Sequence, residues 1–141
     1  MTHLTMQFQD FFIIKEGGVC HFSFNNDGHE PGSICHDLVT PFFMAINSFA
    51  NENYKERIRW IELDDGSCIY FKHLALTPDI NVTIAGVFPE HVNGKKNAIE
   101  RSVIELKWLL NKHASEFEMR SPTISEKTKA EIKEKVRLLF G

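Results

Sequence analysis

The chain has 141 residues, of which 43% are aliphatic, aromatic or cysteine and 25% are charged. This composition is typical of a globular domain and excludes the disordered, collagenous and membrane-spanning classes. No apolar run approaches the roughly 20 residues that a membrane span needs, and residues 1–10 lack the basic and apolar segments of a signal peptide. We therefore expect one domain over residues 1–141, located in the cytoplasm and without an integral membrane segment.

The net charge of −3 is unevenly distributed along the chain. Residues 1–94 carry 5 Lys or Arg against 12 Asp or Glu, whereas residues 95–141 carry 11 against 7. A nucleic-acid-binding domain usually has a denser basic stripe, and here acidic residues interrupt the basic run. We expect a solvated helix face and no nucleic-acid partner, while contact of these basic helices with anionic lipid stays open.

The first hydrophobic runs predict two strands. Phe11–Lys15 is a continuous apolar run, typical of a strand that is covered on both faces. Gly17 and Gly18 predict a tight hairpin turn, and alternation over Val19–Phe24 predicts an edge strand. One face of this edge strand would consist of Cys20, Phe22 and Phe24.

A helical period follows from about Asp37 to Tyr54. Apolar residues recur at steps of three and four and predict one buried face. Asp37 is a credible N-cap, which would place Pro41 in the first turn or just beyond it, where a missing amide is tolerated. The predicted buried face consists of Leu38, Val39, Phe42, Phe43, Ile46, Phe49 and Ala50.

Three more strands and two helices complete the pattern. Asp65-Gly66 is a strong hairpin signal, and a second turn at residues 77–79 makes the three strands an antiparallel meander. Apolar stripes then predict two helices that Pro122 separates. The predicted strands are Ile58–Leu63, Ser67–His73 and Val82–Phe88, and the predicted helices are Lys96–Phe117 and Glu126–Leu139.

Five potential zinc ligands lie within 17 residues of sequence: Cys20, His21, His29, Cys35 and His36. Sulfur and imidazole are the ligands of tetrahedral zinc sites. However, Cys20 and His21 are neighbours in a strand and point to opposite faces, so both cannot reach one ion. We expect no metal site, although a site made from one of this pair, His29 and one of the later pair stays open.

Catalytic motifs are absent from the sequence: there is no GxxxxGK[ST], GxGxxG or GxSxG. Cys20 and Cys68 fall in strand patterns, where thiols behave as small core hydrophobes. Asp64-Asp65 is explained by the turn at Gly66. We expect a protein that is not an enzyme, binds no cofactor and forms no structural disulfide.

In its order of elements, and in the hydrophobic spacing of segments 11–23 and 38–50, the chain resembles the longin domain, a profilin-like α/β/α sandwich. It is similar in particular to the small stand-alone longin-type proteins of archaea. The roadblock (LC7) fold ranks second. It usually opens with a helix, whereas in this chain only the short segment of residues 1–10 precedes the first predicted strand. The resemblance implies an α/β (α+β) fold with the topology ββαβββαα, and a five-stranded antiparallel sheet in the order 2-1-5-4-3. The first helix would cover one face of this sheet and the last two helices the other.

Longin domains commonly form homo- or heterodimers and serve as docking platforms for small GTPases, SNAREs and trafficking complexes. The resemblance therefore implies an adaptor or scaffold in small-GTPase regulation or vesicle-trafficking-like complexes. It would dimerise through its first helix or an edge strand, with itself or with another longin or roadblock protein. No coiled-coil heptads or membrane anchor follow Gly141, so we do not expect SNARE activity. The expected interface residues are Phe43, Ile46, Phe22, Arg59 and Trp60.

The alternative is a small-molecule-sensing domain of the PAS or GAF kind. Sandwiches of this general type can bind a ligand between sheet and helix. This alternative predicts a cavity lined by Phe22, Phe42 and Phe71, or by similar residues, together with a few convergent polar groups.

Overall fold

The computed structural model describes residues 8–15, 20–25, 33–89, 94–118 and 124–140, except for the side chains of residues 33–40. The fold is α+β with the topology ββαβββαα, as predicted. A short 3-10 helix, Ala114–Phe117, follows the second α-helix. The other elements are β1 (Asp10–Lys15), β2 (Cys20–Asn25), α1 (Ser33–Tyr54), β3 (Trp60–Glu62), β4 (Cys68–Thr77), β5 (Ile80–Phe88), α2 (Lys96–Lys112) and α3 (Glu126–Phe140).

The five strands form one sheet in the order β2-β1-β5-β4-β3, and all neighbouring strands are antiparallel. This confirms the expected sheet order, with β2 and β3 at the edges. The apolar run of β1 is explained by its interior position: Phe11 and Ile13 are buried on one face of the sheet, and Phe12 and Ile14 on the other. A strand buried on both faces needs such a continuous run.

The predicted hairpin turn at Asp65-Gly66 is confirmed. Gly66 has a φ of 89°, which glycine adopts without steric cost. The Leu63 N–H donates to the Ser67 carbonyl at 2.8 Å and closes the turn. The other predicted glycine turn, at residues 17 and 18, lies outside the described residues.

A β-bulge in β2 changes which face its side chains occupy. The strand pairs Phe22 with Ile13 but Cys20 with the very next residue, Ile14, so His21 is an extra residue. Cys20 therefore packs on one face of the sheet, while both phenylalanines of β2 pack on the other. The prediction of a shared face for all three was wrong for Cys20, because the extra residue interrupts the alternation.

Helices α2 and α3 cover one face of the sheet and form the larger core with it. Both helices bury one residue per turn, and Phe117 in the 3-10 helix joins them. Helix α2 ends at Lys112, a turn earlier than predicted, because the chain tightens into the 3-10 helix. The buried side chains of the two helices are Ile99, Val103, Leu106, Leu110, Thr128, Ile132, Val136 and Phe140.

The start of α3 is fixed by side-chain hydrogen bonds. The Thr128 N–H donates to Ser125 Oγ at 3.2 Å, which is an N-cap contact. The Glu116 carboxylate accepts the Thr128 hydroxyl at 2.5 Å and the Ser125 N–H at 2.7 Å. These bonds, the one from Thr128 first, lower the pKa of Glu116. The 3-10 helix is thereby tied to the first turn of α3.

Helix α1 lies on the opposite face and begins at Ser33. The predicted N-cap at Asp37 was wrong, because the helix starts one turn earlier and Pro41 therefore lies in its interior. The Phe43 ring packs edge-on against Phe12 and Phe71, at centroid distances of 5.7 and 5.2 Å. The buried residues of this second core are Phe12, Ile14, Phe43, Ile69, Phe71 and Ala85. None of the described helices is both long and apolar enough to cross a membrane.

Candidate interaction surface on the first helix

Helix α1 carries an apolar stripe that faces solvent. Over residues 41–54, only Phe43 and Asn47 are buried. Phe42 and Phe49 are each 59% exposed, and Ile46 is partly buried. At 100° per residue, these three side chains lie on one side of the helix, about a quarter to a third of a turn away from the buried pair. We call Phe42, Ile46 and Phe49 the α1 stripe.

The predicted buried face of α1 was therefore wrong for Phe42 and Phe49. Packing of Phe43 between Phe12 and Phe71 sets the rotation of the helix about its axis. This rotation turns Asn47 toward the sheet and the α1 stripe away from it. Leu38 and Val39 belong to the same prediction, and their side chains lie outside the described residues.

The residues around the α1 stripe are almost uncharged. Asp37 and Glu52 are the only Asp, Glu, Lys or Arg residues among the 22 of α1, whereas α3 carries eight among 15. A solvated helix face normally carries charged side chains, as α3 does. Depletion of charge together with exposed aromatic rings is typical of the core of a protein interface.

An apolar groove continues the α1 stripe at Phe42. It lies between α1 and the sheet, has a volume of about 470 Å³ and has one carboxylate, Asp10, at its rim. Burial raises the pKa of Asp10. Leu63, which is 42% exposed, also lines the groove. The remaining lining residues are Phe12, Phe43, Ile69 and Val87.

Two of the five expected interface residues are buried in the core. Phe43 is 4% exposed and anchors α1 to the sheet. Phe22 is also 4% exposed and lies on the other face, below the ammonium groups of Lys129 and Lys133. Neither ring is available for a partner in this structure, whereas Ile46 lies on the α1 stripe.

Arg59 and Trp60 lie where the edge strand β3 begins, beside α2. The Trp60 Nε1–H donates to Glu100 Oε2 at 3.2 Å, and its ring packs on Tyr70 at a centroid distance of 4.6 Å. Arg59 Nε lies 3.5 Å from the same carboxylate oxygen, and its side chain is 71% exposed. Trp60 thus anchors the edge strand β3 to α2, while Arg59 stays accessible.

The candidate metal ligands do not form a group in the described part of the chain. Cys20 packs on the α1 face, whereas the His21 Nε2–H donates to the Phe117 carbonyl at 3.1 Å on the opposite face. Burial lowers the pKa of His21 to about 4. His29 and the side chains of Cys35 and His36 lie outside the described residues. Among the side chains that are described, no three potential ligands come together.

The structure does not bring together the three phenylalanines of the predicted ligand cavity. Phe22 lies on the α2/α3 face of the sheet, and Phe71 on the α1 face. Phe42 lines the apolar groove, and Phe71 lines a different cleft near the end of α1. A cavity with this lining is therefore excluded, because the sheet separates Phe22 from the other two.

A second exposed apolar pair lies on α2. Ile104 and Trp108 are one turn apart and are 55% and 73% exposed. The two residues are not continuous with the apolar groove, since α2 covers the other face of the sheet. Trp108 therefore offers a matched control for substitutions in the α1 stripe.

Comparison with protein-family models, with characterised proteins and with solved structures finds no match for this chain.

Proposed function

We propose that this protein is a non-catalytic interaction module that pairs with a second copy of itself through α1. The observation that carries the proposal is the exposed α1 stripe, an apolar pattern of the sequence that the chain does not bury against its own sheet. Burying a phenylalanine side chain contributes about 1.5–3 kcal/mol. Phe42 and Phe49 of two copies, each ring three-fifths exposed, would together contribute about 4–7 kcal/mol.

This burial offsets only the lower end of the cost of association, which is about 4–15 kcal/mol. The interface must therefore include more than the four rings. The apolar groove supplies the additional surface, because Phe42 belongs both to the groove and to the α1 stripe. A stable interface buries on the order of 1,200–2,000 Å² in total, so the pairing has to cover the groove as well as the helix.

The charge of α1 favours a second copy as the partner. In a symmetric contact, each charged residue near the two-fold axis lies close to its own copy, and like charges repel. No Asp, Glu, Lys or Arg lies between Asp37 and Glu52, so residues 38–51 avoid this repulsion. Antiparallel packing of two α1 helices would set Phe42 of one copy beside Phe49 of the other.

The longin resemblance extends this proposal to a cellular role. The sheet order β2-β1-β5-β4-β3 and the two helix layers support the resemblance. The dimer would then act in the cytoplasm as an adaptor or scaffold in small-GTPase regulation or in vesicle-trafficking-like complexes. Pairing with another longin or roadblock protein through the same α1 stripe is the heteromeric form of this proposal.

The test is the solution mass over a concentration series, measured by light scattering after size exclusion. We expect the unsubstituted protein to reach twice the chain mass of 16.3 kDa. The double variant Phe42→Ser/Phe49→Ser should remain a monomer at every concentration. The control Trp108→Ser removes an even more exposed aromatic ring elsewhere and should still dimerise.

Two results would contradict self-pairing through α1. One is a monomer at all concentrations of the unsubstituted protein. The other is a dimer that Trp108→Ser weakens as much as the double variant does. Far-ultraviolet circular dichroism of each variant separates loss of pairing from loss of folding.

A further inference from the structure

A basic cleft lies where α1 ends. It has a volume of about 640 Å³ and is formed by the segment after α1 and by β4. Residues 1–94 contain only five Lys or Arg, against 12 Asp or Glu. Four of those five line this cleft: Lys55, Arg57, Arg59 and Lys72. The acidic first two thirds of the chain thus collect four of their five basic residues in one place.

These cations are largely without counter-ions. Within the described part of the chain, no carboxylate lies within 4.0 Å of Lys55, Arg57 or Lys72. Arg59 contacts Glu100, but its side chain is 71% exposed and the contact is screened by water. Glu56 is the one acidic residue among the described residues that line the cleft. The cleft therefore carries an excess of about three positive charges on this count.

One of the residues that line the cleft, His73, has an unmatched polar atom. His73 Nδ1 is 2.8 Å from Thr83 Oγ1, while His73 Nε2 is buried and has no hydrogen-bond partner among the described residues. Desolvation and the charges of Arg57 and Lys72 lower the pKa of His73. Buried polar atoms normally have partners, so His73 Nε2 indicates a place where a polar ligand or water belongs.

The C-terminal end of α1 explains only part of the positive charge in the basic cleft. Lys55 follows α1 with a φ of 58°, a position where glycine is usual, and its N–H donates to the Asn51 carbonyl at 3.0 Å. A cation there stabilises the negative end of the helix dipole. Lys72 lies in β4, outside the terminal turn of α1, so the dipole does not explain it.

We propose that the basic cleft binds a compact dianion of the phosphate class, as the free ion or as a phosphate monoester. Arg57 and Arg59 each present several N–H donors in a planar fork that fits phosphate oxygens, and Lys55 and Lys72 add point charges. The cleft is large enough for phosphate and for part of an esterified group. Phosphate binding does not depend on pairing through α1, because none of the four basic residues of the cleft belongs to the α1 stripe.

The test is calorimetric titration of the full chain with three probes at constant ionic strength and pH 7.5: inorganic phosphate, adenosine monophosphate and acetate. We expect saturable binding of phosphate or of the monoester with a Kd below about 1 mM, and at least tenfold weaker binding of acetate. Tighter binding of the ester than of phosphate identifies an esterified ligand, and equal binding identifies the free ion.

The variant Arg57→Gln/Lys72→Gln should weaken binding by at least tenfold. The control Lys112→Gln/Lys127→Gln removes the same charge from exposed positions on α2 and α3 and should change the affinity by less than twofold. As a second readout, imidazole signals in NMR spectra should show that bound phosphate raises the pKa of His73, since the anion offsets Arg57 and Lys72.

The proposal is overturned if neither phosphate nor the monoester binds more tightly than acetate. It is also overturned if both double variants weaken binding equally, because the anion would then respond only to net charge. Dimer formation measured on the same samples keeps this result separate from the proposal on α1.

Discussion

His21 makes the stability of the folded protein sensitive to acid. Its partly buried ring packs edge-on against the Phe117 ring, and its Nε2–H donates to the Phe117 carbonyl. Desolvation lowers the pKa of His21 from 6.5 to about 4, partly opposed by the hydrogen bond from the ring to Phe117 and reinforced by the charge of Lys15. The folded state therefore holds the imidazole neutral where an unfolded chain would protonate it.

The direction of the effect follows from proton linkage. Between pH 6.5 and pH 4 the unfolded state binds more protons than the folded state, so acid favours unfolding. The contribution of His21 to stability is fully present above pH 6.5 and is lost as the pH falls toward 4. For these two pKa values, the loss between pH 8 and pH 5 amounts to about 2 kcal/mol.

Urea denaturation at pH 8, 7, 6 and 5, at constant ionic strength, measures this loss. We expect the free energy of unfolding to fall by about 2 kcal/mol more in the unsubstituted protein than in His21→Gln, whose side chain retains an N–H donor but does not titrate. Titration of His73 contributes to both proteins and cancels in the comparison. If the fall in the free energy of unfolding between pH 8 and pH 5 differs by less than about 0.5 kcal/mol between the two proteins, the role assigned to His21 burial is refuted.

Two further predictions concern stability. Phe43→Ala should lower the free energy of unfolding by about 3–5 kcal/mol, because it removes the ring that packs against Phe12 and Phe71. Phe42→Ala should lower it by less than about 1 kcal/mol in dilute monomer, because the Phe42 ring is exposed. If urea denaturation shows the same loss of stability for Phe43→Ala and Phe42→Ala, the rotation of α1 described above is contradicted. Ser125→Ala should cost about 1 kcal/mol by removing the acceptor of the Thr128 N–H, and Ser125→Thr should restore most of it in thermal melts. An Ala variant as stable as the parent would show that this cap does not stabilise α3.

The element order could be predicted because it depends on local patterns. The continuous apolar run of β1 and the turn at Asp65-Gly66 each have a local physical cause, and the structure reproduces both. Side-chain faces were less predictable. The bulge at His21 and the rotation of α1 around Phe43 depend on contacts with residues far away in sequence. Hydrophobic periodicity reports that a helix has an apolar side, but it does not say whether that side meets its own sheet.

The candidate sites were only partly visible in the sequence. Ile46 and Arg59 were predicted interface residues and remain at least partly exposed, whereas Phe22 became part of the core because α3 covers β2. The basic cleft was missed, because the charge was counted over two long segments, residues 1–94 and 95–141. The available signal was that four of the five basic residues in residues 1–94 fall between Lys55 and Lys72.

The measurement that tests the pairing of α1 most directly is a dilution series followed by backbone amide NMR. We predict that signals of residues 41–54 and of Leu63 shift together with protein concentration, while those of Ile104 and Trp108 on α2 do not. The midpoint of the shifts should match the dissociation constant from light scattering. Concentration-dependent shifts confined to α2, or none at any concentration, would contradict the proposed interface.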